Sequence, residues 1–428
     1  MTLHAIRPRP WQVFVVAVWA VTLGVRDVGA QAAWPFGFQD SIRSTRLAET
    51  MKFRVVLPDE YSDPGSVGRR FPIVILWGTP DEQRPGLFSG VVTALRSAGG
   101  GSGPAVPGLI IVRVAPGPNS RYDYPPAKGA AAKNYPTAGG ADGYAEFLVQ
   151  ELLPLLRERY RTMPYTVIAG HSSAGQFAIR AFALFPDVFQ AAVGVSPALW
   201  WNDEESSREY SAAILNRHQA GRLYVTSGGY DPGGIRVATE HFVGAITAGG
   251  KLPTAFAYRK LPEDSHFTTP MPGTIDGLRW VFEPMSLARD DIHAARALPT
   301  TSPADLMHAY DTVKQRYALG ARELGFPPDL PGYYLRWEAF IGLGPDRIEP
   351  VFPFARRLCE DDVTAHPTSP DAHECLSRAL LGLADTVAAR ASLVTGLEMA
   401  KSAGDASAVN RIQRRLSAID SARTPRTR

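Results

Sequence analysis

The sequence predicts an α/β fold, in which helices cover a mostly parallel central sheet, followed by a smaller all-α domain. The first observation is that residues 51–284 alternate short β-rich runs with longer helical patterns, an order typical of parallel sheets with helical crossovers. The second is that this alternation stops after Pro284, where residues 303–421 are rich in Ala, Leu, Arg and Glu at helical spacing. The chain of 428 residues is also too long for one ordinary domain.

Short apolar runs mark the candidate strands of the sheet. They cover residues 53–57, 71–77, 109–114, 166–169, 191–195, 223–226 and 255–258. Between the third and fourth runs, apolar residues from Tyr144 to Tyr160 recur at helical spacing and predict an amphipathic crossover helix. Gly and Pro are concentrated in residues 98–108 and 115–141, which predicts surface loops of the kind that shape a binding site.

The C-terminal region predicts a separate helical domain over residues 295–428, after an α/β domain over residues 33–287. Its pattern is interrupted at the Gly- and Pro-rich stretches 325–328, 342–345 and 367–370. The helix pairs loosely resemble tetratricopeptide-type units, but no clean repeat of about 34 residues is present, and a generic helical bundle is an open alternative. We expect that such a domain offers a surface for a protein partner.

Two cysteines, Cys359 and Cys375, lie in the helical region. In an exported protein such a pair forms one disulfide that clamps neighbouring helices, and two buried free thiols are the alternative. Neither cysteine is a candidate nucleophile, because neither has a local setting that lowers a thiol pKa.

The N-terminus has the pattern of an export signal. Arg7 and Arg9 precede an apolar run over residues 11–25, and small residues follow at positions 28–32. The run is shorter than the ~20 apolar residues of a spanning helix, which favours a cleaved signal peptide over residues 1–32 above a membrane anchor. We therefore expect an exported protein, periplasmic or secreted, without stable membrane insertion after cleavage.

Composition narrows the class of protein further. Hydrophobic residues make up 45% and charged residues 20% of the chain, the balance of a folded soluble protein. Beyond residue 32 basic and acidic residues are nearly equal in number, which argues against nucleic acid as a partner. The sequence has no phosphate-binding glycine loop, dinucleotide fingerprint or metal-ligand spacing, so we expect no cofactor and no metal.

The most informative stretch covers residues 167–177, where a β-rich run meets a helical run across a turn of small residues. Ser172 lies at this turn, with Gly170 two residues before it and Ala174 two residues after it. This spacing predicts the nucleophile elbow of an α/β-hydrolase, in which the following helix presents free N–H groups to an oxyanion. A serine-rich helix cap is the alternative interpretation of these few residues alone.

Two later loops supply partners for Ser172. Asp231 follows the run at residues 223–226, and His266 follows the run at residues 255–258. The order Ser, acid, His is that of α/β-hydrolases. Because a serine hydroxyl needs an imidazole to accept its proton, and the imidazole needs a carboxylate to orient it, we predict Ser172 as nucleophile, His266 as general base and Asp231 as the orienting acid.

Neighbouring residues compete for some of these roles. Glu240 lies far along the next helical run, and Glu263 and Asp264 are so near His266 that they would shape its loop instead. His171 is expected to point away from the reacting side chain and to serve in packing. The oxyanion donors are expected to be the N–H groups of Ser173 and of Thr79 in the loop after residues 71–77, where Gly78 is nearly as good a candidate.

Several stretches beyond the elbow carry a family resemblance. They are residues 121–126, 147–160, 186–189, 196–201 and 277–279. With them, residues 45–285 resemble the group of α/β-hydrolase esterases that includes ferri-enterobactin esterases and esterase D-like enzymes. The resemblance implies a serine mechanism on ester substrates and places the family's serine at Ser172, its histidine at His266 and its acid at Asp231, although some relatives use a Ser–His pair. The usual Asp-Gly of the group is Trp77-Gly78 here.

The sequence therefore predicts a serine esterase that cleaves a small-molecule carboxylic ester through an acyl-enzyme intermediate. Arg121, Tyr124, Trp200 and Trp201 are the candidate substrate-binding residues, since aromatic rings suit a siderophore lactone or an aryl ester. Core packing is the alternative role for these rings. A catalytically idle scaffold protein, and an acyltransferase or peptidase on the same fold, are the competing functions.

Overall fold

The computed structural model describes residues 37–62, 66–78, 90–91, 95, 104–114, 124–248, 254–288, 291–296, 302–340 and 351–423. The predicted signal peptide and the candidate residues Thr79 and Arg121 lie outside the described residues. The described residues belong to one compact unit, Phe36–Arg428.

In the part of the chain that the structure describes, eight strands form a single sheet in the order β1-β2-β4-β3-β5-β6-β7-β8. They are β1 (Phe38–Arg43), β2 (Thr50–Val56), β3 (Phe71–Trp77), β4 (Ile110–Val114), β5 (Thr162–His171), β6 (Ala191–Val195), β7 (Gly221–Tyr230) and β8 (Thr254–Ser265). β2 pairs antiparallel with β1 and β4, and all other neighbours are parallel. The predicted α/β architecture with a mostly parallel sheet is confirmed.

The predicted apolar runs correspond to β2–β8, and β1 is the strand that the sequence did not predict. β1 is an edge strand whose residues are exposed or half-buried and whose sequence is mostly polar. A strand of this kind lacks the apolar alternation that sequence patterns detect, because neither of its faces is buried in the core.

Helices cover both faces of the sheet and form the C-terminal region. They are α1 (Gly129–Asn134), α2 (Ala141–Phe147), α3 (Leu153–Arg159), α4 (Ser173–Leu184), α5 (Trp201–Leu215), α6 (Gly233–Ala248), α7 (Pro270–Val281), α8 (Asp291–Arg296), α9 (Pro303–Leu324), α10 (Gly332–Phe340), α11 (Phe352–Ala365), α12 (Pro370–Gly382), α13 (Thr386–Ser402) and α14 (Ala406–Arg423). A π-helical segment, Leu148–Leu152, joins α2 to α3, so the predicted crossover helix is one nearly continuous element.

The buried residues of β3 show how the two faces of the sheet are used. Ile73 and Ile75 pack into one core with α2, α3 and α4, whereas Val74 and Leu76 pack into a second core on the opposite face. Successive side chains of a strand point to opposite faces, and a strand buried on both faces therefore has an unbroken apolar sequence.

The second core continues into the C-terminal helices. Phe326, just after α9, packs against Tyr165 and Phe282 at ring distances of 5.2 and 6.2 Å. A Cβ atom added at Gly320 of α9 would lie 1.8 Å from the carbonyl oxygen of Pro284, so the helix and the backbone that follows α7 are in direct contact there. The division into two domains stays a prediction, and the buried core is continuous across its boundary.

Two of the helix ends in the C-terminal region lie at the glycine- and proline-rich breaks that the sequence predicted. Gly325 ends α9 in the left-handed conformation with φ +76°, and residues 366–369 separate α11 from α12. The predicted break at residues 342–345 lies outside the described residues. Cys359 of α11 and Cys375 of α12 form a disulfide with a Cα–Cα distance of 5.5 Å. Among the described helices, none combines the length and apolarity needed to span a membrane.

Candidate active site

Ser172 lies in the sharp turn between β5 and α4, with φ +59° and ψ −121°. Positive φ values are strained for a residue that has a side chain, and such strain is concentrated at functional sites. A Cβ atom added at Gly170 would lie only 2.2 Å from the carbonyl oxygen of Ala174. The turn therefore closes only with glycine at position 170, whereas the buried alanine at position 174 is tolerated.

A continuous chain of hydrogen bonds joins the three predicted catalytic side chains. The Oγ atom of Ser172 lies 3.0 Å from Nε2 of His266. On the other side of the same ring, Nδ1 of His266 lies 3.0 Å from Oδ1 of Asp231. These contacts have the geometry in which an imidazole accepts a proton from serine while a carboxylate fixes its tautomer.

Asp231 is held as a buried carboxylate. Its Oδ2 atom accepts a hydrogen bond of 2.7 Å from the backbone N–H of Gly228, and its side chain is fully buried. Burial acts to raise the pKa of Asp231, but hydrogen bonds from His266, the Gly228 amide and Ser196 outweigh it and hold the pKa below its usual value. The carboxyl group is therefore ionised at neutral pH.

Strand pairing explains why Asp231 and His266 meet although 35 positions separate them. Tyr230 at the end of β7 pairs with Ser265 at the end of β8, so the next residue on each strand enters the same edge of the sheet. The pairing shifts register between Gly228 and Tyr230, an irregularity that redirects the end of β7. Ser172 follows β5 at the same carboxyl edge.

Of the three candidate oxyanion donors, Ser173 and Gly78 lie within the described residues. Ser173 is the first residue of α4, so its N–H has no acceptor within the helix and lies next to Ser172. The N–H of Gly78 donates to the carbonyl oxygen of Val114 at 3.1 Å, which commits this donor to the backbone of the sheet. Thr79, the donor favoured from the sequence, lies outside the described residues, and its role stays a prediction.

His171 packs against the predicted base. The ring centroids of His171 and His266 are 4.5 Å apart, with an angle of 43° between the planes. Its predicted role in packing agrees with this contact. The expectation that its side chain points away from the reacting side is wrong, because its ring contacts the imidazole of His266.

The candidate aromatic residues form a small cluster. The rings of Tyr124 and Trp201 are stacked 3.9 Å apart with an interplanar angle of 3°, and both side chains are buried. Trp200 is half-buried and lies 5.7 Å from Trp201, and Tyr135 completes the cluster. Substrate contact by Tyr124, Trp200 and Trp201 stays a prediction, and packing within this cluster remains the alternative role. Arg121 lies outside the described residues.

Two exposed aromatic residues at the same edge were missed from the sequence. Tyr230, next to Asp231, is 69% exposed, and Phe267, next to His266, is 72% exposed. The rings of Phe267 and His266 lie 5.5 Å apart in a T-shaped arrangement, with an angle of 76° between their planes. Large apolar side chains that are left exposed beside a reactive centre are suited to contact a ligand, and their position one residue from a predicted catalytic residue was the available signal.

Ser196 and Thr269 were also missed. Both side chains are fully buried, and their hydroxyl groups lie 3.0 Å apart beside the Asp231 and His266 loops. The available signals were the position of Ser196 directly after β6, within the family-like stretch 196–201, and the position of Thr269 three residues after the predicted base.

Comparison with known proteins agrees with this fold. The model of the Putative esterase family matches residues 44–281, more than half of the chain, so the chain belongs to this family. An IroE-like serine hydrolase from Shewanella oneidensis superposes with a TM-score of 0.55 at 19% identity, over 76% of this chain and 96% of that chain. The predicted α/β-hydrolase fold is therefore confirmed.

Curated relatives are similar over shorter segments. The ferri-bacillibactin esterase BesA of Bacillus subtilis is 32% identical over 71 residues, which are 16% of this chain and 25% of that protein. The siderophore enterobactin esterase of Emericella nidulans is 31% identical over 100 residues, 22% of this chain and 33% of that protein. The matches thus span about a quarter to a third of the length of these relatives.

Proposed function

We propose that this chain is a carboxylic ester hydrolase in which Ser172 is the nucleophile, His266 the general base and Asp231 the orienting carboxylate. The observation that carries the proposal is the hydrogen-bond chain from Ser172 Oγ through both ring nitrogens of His266 to Asp231, with both contacts at 3.0 Å. Membership of an esterase family supports the same reaction class.

In the first half of the reaction, Ser172 Oγ attacks the ester carbonyl carbon while His266 Nε2 takes the hydroxyl proton. Asp231 stabilises the resulting imidazolium, because its carboxylate accepts the hydrogen bond from Nδ1–H. The tetrahedral intermediate then expels the alcohol, to which His266 returns the proton. An acyl group remains bonded to Ser172.

In the second half, His266 takes a proton from a water molecule that attacks the acyl carbonyl, and Ser172 leaves with that proton restored. Both tetrahedral intermediates carry negative charge on the former carbonyl oxygen. The N–H of Ser173 at the start of α4 is the donor supported by position, and Thr79 is the proposed second donor.

The proposed substrate class is a siderophore or aryl ester. Two curated relatives are named as siderophore esterases, one of them the siderophore triacetylfusarinine C esterase of Aspergillus fumigatus, which is 26% identical over 125 residues. Within the described residues, the exposed rings of Tyr230 and Phe267 and the half-buried Trp200 offer apolar contact area at the same edge as Ser172. Arg121 and Tyr124 complete the proposed binding set.

Export and a role for the helical region belong to the same proposal. The disulfide between Cys359 and Cys375 fits an oxidising compartment, as expected for a periplasmic or secreted protein. The helices after residue 302 contain none of the proposed catalytic residues, which leaves their outer surface available to a protein partner.

The test is covalent labelling with a fluorophosphonate probe, followed by turnover of p-nitrophenyl esters, feruloyl esters and macrocyclic trilactones. We expect labelling of the wild-type protein and its loss in Ser172→Ala, with unchanged circular dichroism. Turnover by Ser172→Ala at the wild-type rate would contradict the mechanism. Absence of both labelling and turnover in the folded wild-type protein would favour a scaffold function.

A further inference from the structure

The turn after β6 contacts the predicted nucleophile directly and is linked to the loop of the predicted base through Thr269. The backbone carbonyl of Val195 accepts from the N–H of Ser172, and the N–H of Ala198 donates to the carbonyl of Ser172, each at 3.0 Å. These two bonds hold the strained elbow from both sides. Between Val195 and Ala198 lies Ser196, whose side chain is the polar group of this turn.

Ser196 is buried and adopts an unusual backbone conformation. Its φ is +42°, in the region that favours glycine, and its side chain is fully buried. Its N–H donates to the carbonyl of Thr226 in β7 at 2.7 Å, which fixes the turn against the strand that leads to Asp231. A serine at a position that glycine would occupy with less strain indicates that the hydroxyl group is used.

The hydroxyl of Ser196 lies between the loops that carry the acid and the base. It is 3.0 Å from Oγ1 of Thr269, and Oγ1 of Thr269 is 3.2 Å from the backbone carbonyl of His266. It also stabilises the ionised carboxylate of Asp231, whose pKa it helps to lower. Thr269 donates its one proton to the backbone carbonyl of His266, so the one proton of Ser196 is shared between Oγ1 of Thr269 and the carboxylate of Asp231.

We infer that Ser196 is a positioning residue, which aligns His266 with Asp231 and Ser172 through the turn after β6. The inference rests on the proposed serine esterase function. Ser196 does not contact the reacting carbonyl, so its effect is on the alignment of the groups that do. A misalignment of the base slows proton transfer without removing the site that binds the ester.

The experiment measures kcat and KM with p-nitrophenyl acetate for Ser196→Ala, Ser196→Gly and the wild-type protein. We expect kcat to fall about tenfold to a hundredfold in both variants while KM stays within about twofold. Ser196→Gly separates the two roles of the residue, because glycine relieves the positive φ and still lacks the hydroxyl. Ser211→Ala is the matched control, since that buried serine donates only to the carbonyl of Arg208 in α5.

Thr269 provides the rescue test. Thr269→Val removes the hydroxyl at nearly constant shape and should lower kcat, whereas Thr269→Ser retains the hydroxyl and should stay within about twofold of the wild type. If the two hydroxyls act as one unit, the double variant Ser196→Ala with Thr269→Val should lose less than the product of the two single losses.

The outcomes separate this inference from the proposed function. A wild-type protein that turns over the ester and a Ser172→Ala variant that does not would establish the function. If Ser196→Gly and Ser196→Ala then keep wild-type kcat with native thermal unfolding, Ser196 is no positioning residue. An inactive and unlabelled wild-type protein would overturn the function first, and the inference with it.

Discussion

The carboxyl edge of the sheet and the face that meets the C-terminal helices are built on opposite principles. At the edge, Ser172 and Ser196 hold positive φ values, and a few polar contacts of about 3.0 Å join the loops. At the helical face, Tyr165, Phe282 and Phe326 pack as an apolar cluster. The edge therefore stores strain that reaction geometry requires, whereas the face supplies stability. Substitutions should separate these two effects.

The largest expected effect is on turnover and comes from Asp231→Asn at the edge. The amide cannot support the imidazolium or fix its tautomer, so kcat should fall by about a hundredfold to ten thousandfold. Glu263→Gln and Glu240→Gln are the controls, since Glu263 is exposed and Glu240 pairs only with Lys260 on the surface. Steady-state turnover of p-nitrophenyl acetate measures the difference.

A kcat for Asp231→Asn within about threefold of wild type, under ~1 kcal/mol of barrier, would contradict the role of Asp231. The enzyme would then operate as a Ser–His pair or take its acid from elsewhere. Thermal unfolding at neutral pH is the accompanying control. The lowered pKa of Asp231 means that its ionisation stabilises the fold above the unfolded-state pKa, and this contribution is lost only as pH falls through the lower folded-state value.

The second effect is on stability and comes from the disulfide in the helical region. Cys359 and Cys375 are 16 positions apart, and closing a loop of this length contributes about 3 kcal/mol to the free energy of unfolding. We expect the double variant Cys359→Ala and Cys375→Ala to lose roughly that amount in urea unfolding, while kcat of the folded protein stays unchanged. The reduced wild-type protein should show the same loss, and equal stability with and without reductant would contradict the prediction.

What the sequence could predict differs between the same two regions. At the edge, Ser172, Asp231 and His266 each occupy a turn after a strand, and Gly170 lies at the end of β5 where the elbow begins. Local backbone requirements tie the residue types to these turns. Such requirements are visible in a few consecutive residues. At this same edge, the contact between the hydroxyl groups of Ser196 and Thr269 was missed. The two residues are 73 positions apart, and no local sequence pattern indicates that they meet.

At the helical face, the sequence predicted the helices and their ends but not what they pack against. Gly325 ends α9 because of its own left-handed conformation, which a sequence pattern can predict. Gly320, within α9, is close to the backbone of Pro284, a residue outside the helix that the sequence pattern does not identify. Helical periodicity shows that a face is apolar and does not identify its partner. For the same reason the continuous core between the two regions could not be predicted.

Gly320 offers a third and smaller effect. Gly320→Ala places a methyl group where the structure leaves 1.8 Å to the Pro284 oxygen, so overpacking should cost about 1–3 kcal/mol of stability despite the higher helix propensity of alanine. Gly244→Ala in α6 is the matched control, because its added Cβ meets nothing within 4 Å. That variant should be as stable as wild type or slightly more stable in thermal unfolding. An equal increase in the stability of both variants would show that α9 is not tightly packed against the backbone at Pro284.

The smallest effect should come from charge across the same face. Arg222 of β7 contacts Glu323 of α9 at 3.1 Å, but the Glu323 side chain is 59% exposed, so water weakens the pair. Arg222 also donates to the carbonyl of Trp280 at 3.0 Å and lies over its ring at 4.4 Å.

We therefore expect Glu323→Gln to change the free energy of unfolding by less than ~1 kcal/mol, since it removes only the exposed half of the ion pair. Arg222→Ala should cost more, because it removes the contacts with Trp280 and uncovers apolar surface beneath a long side chain. Urea unfolding of the two single variants and of the double variant measures the coupling between Arg222 and Glu323. A coupling above about 2 kcal/mol would show that charge joins the helices to the sheet as strongly as apolar packing does.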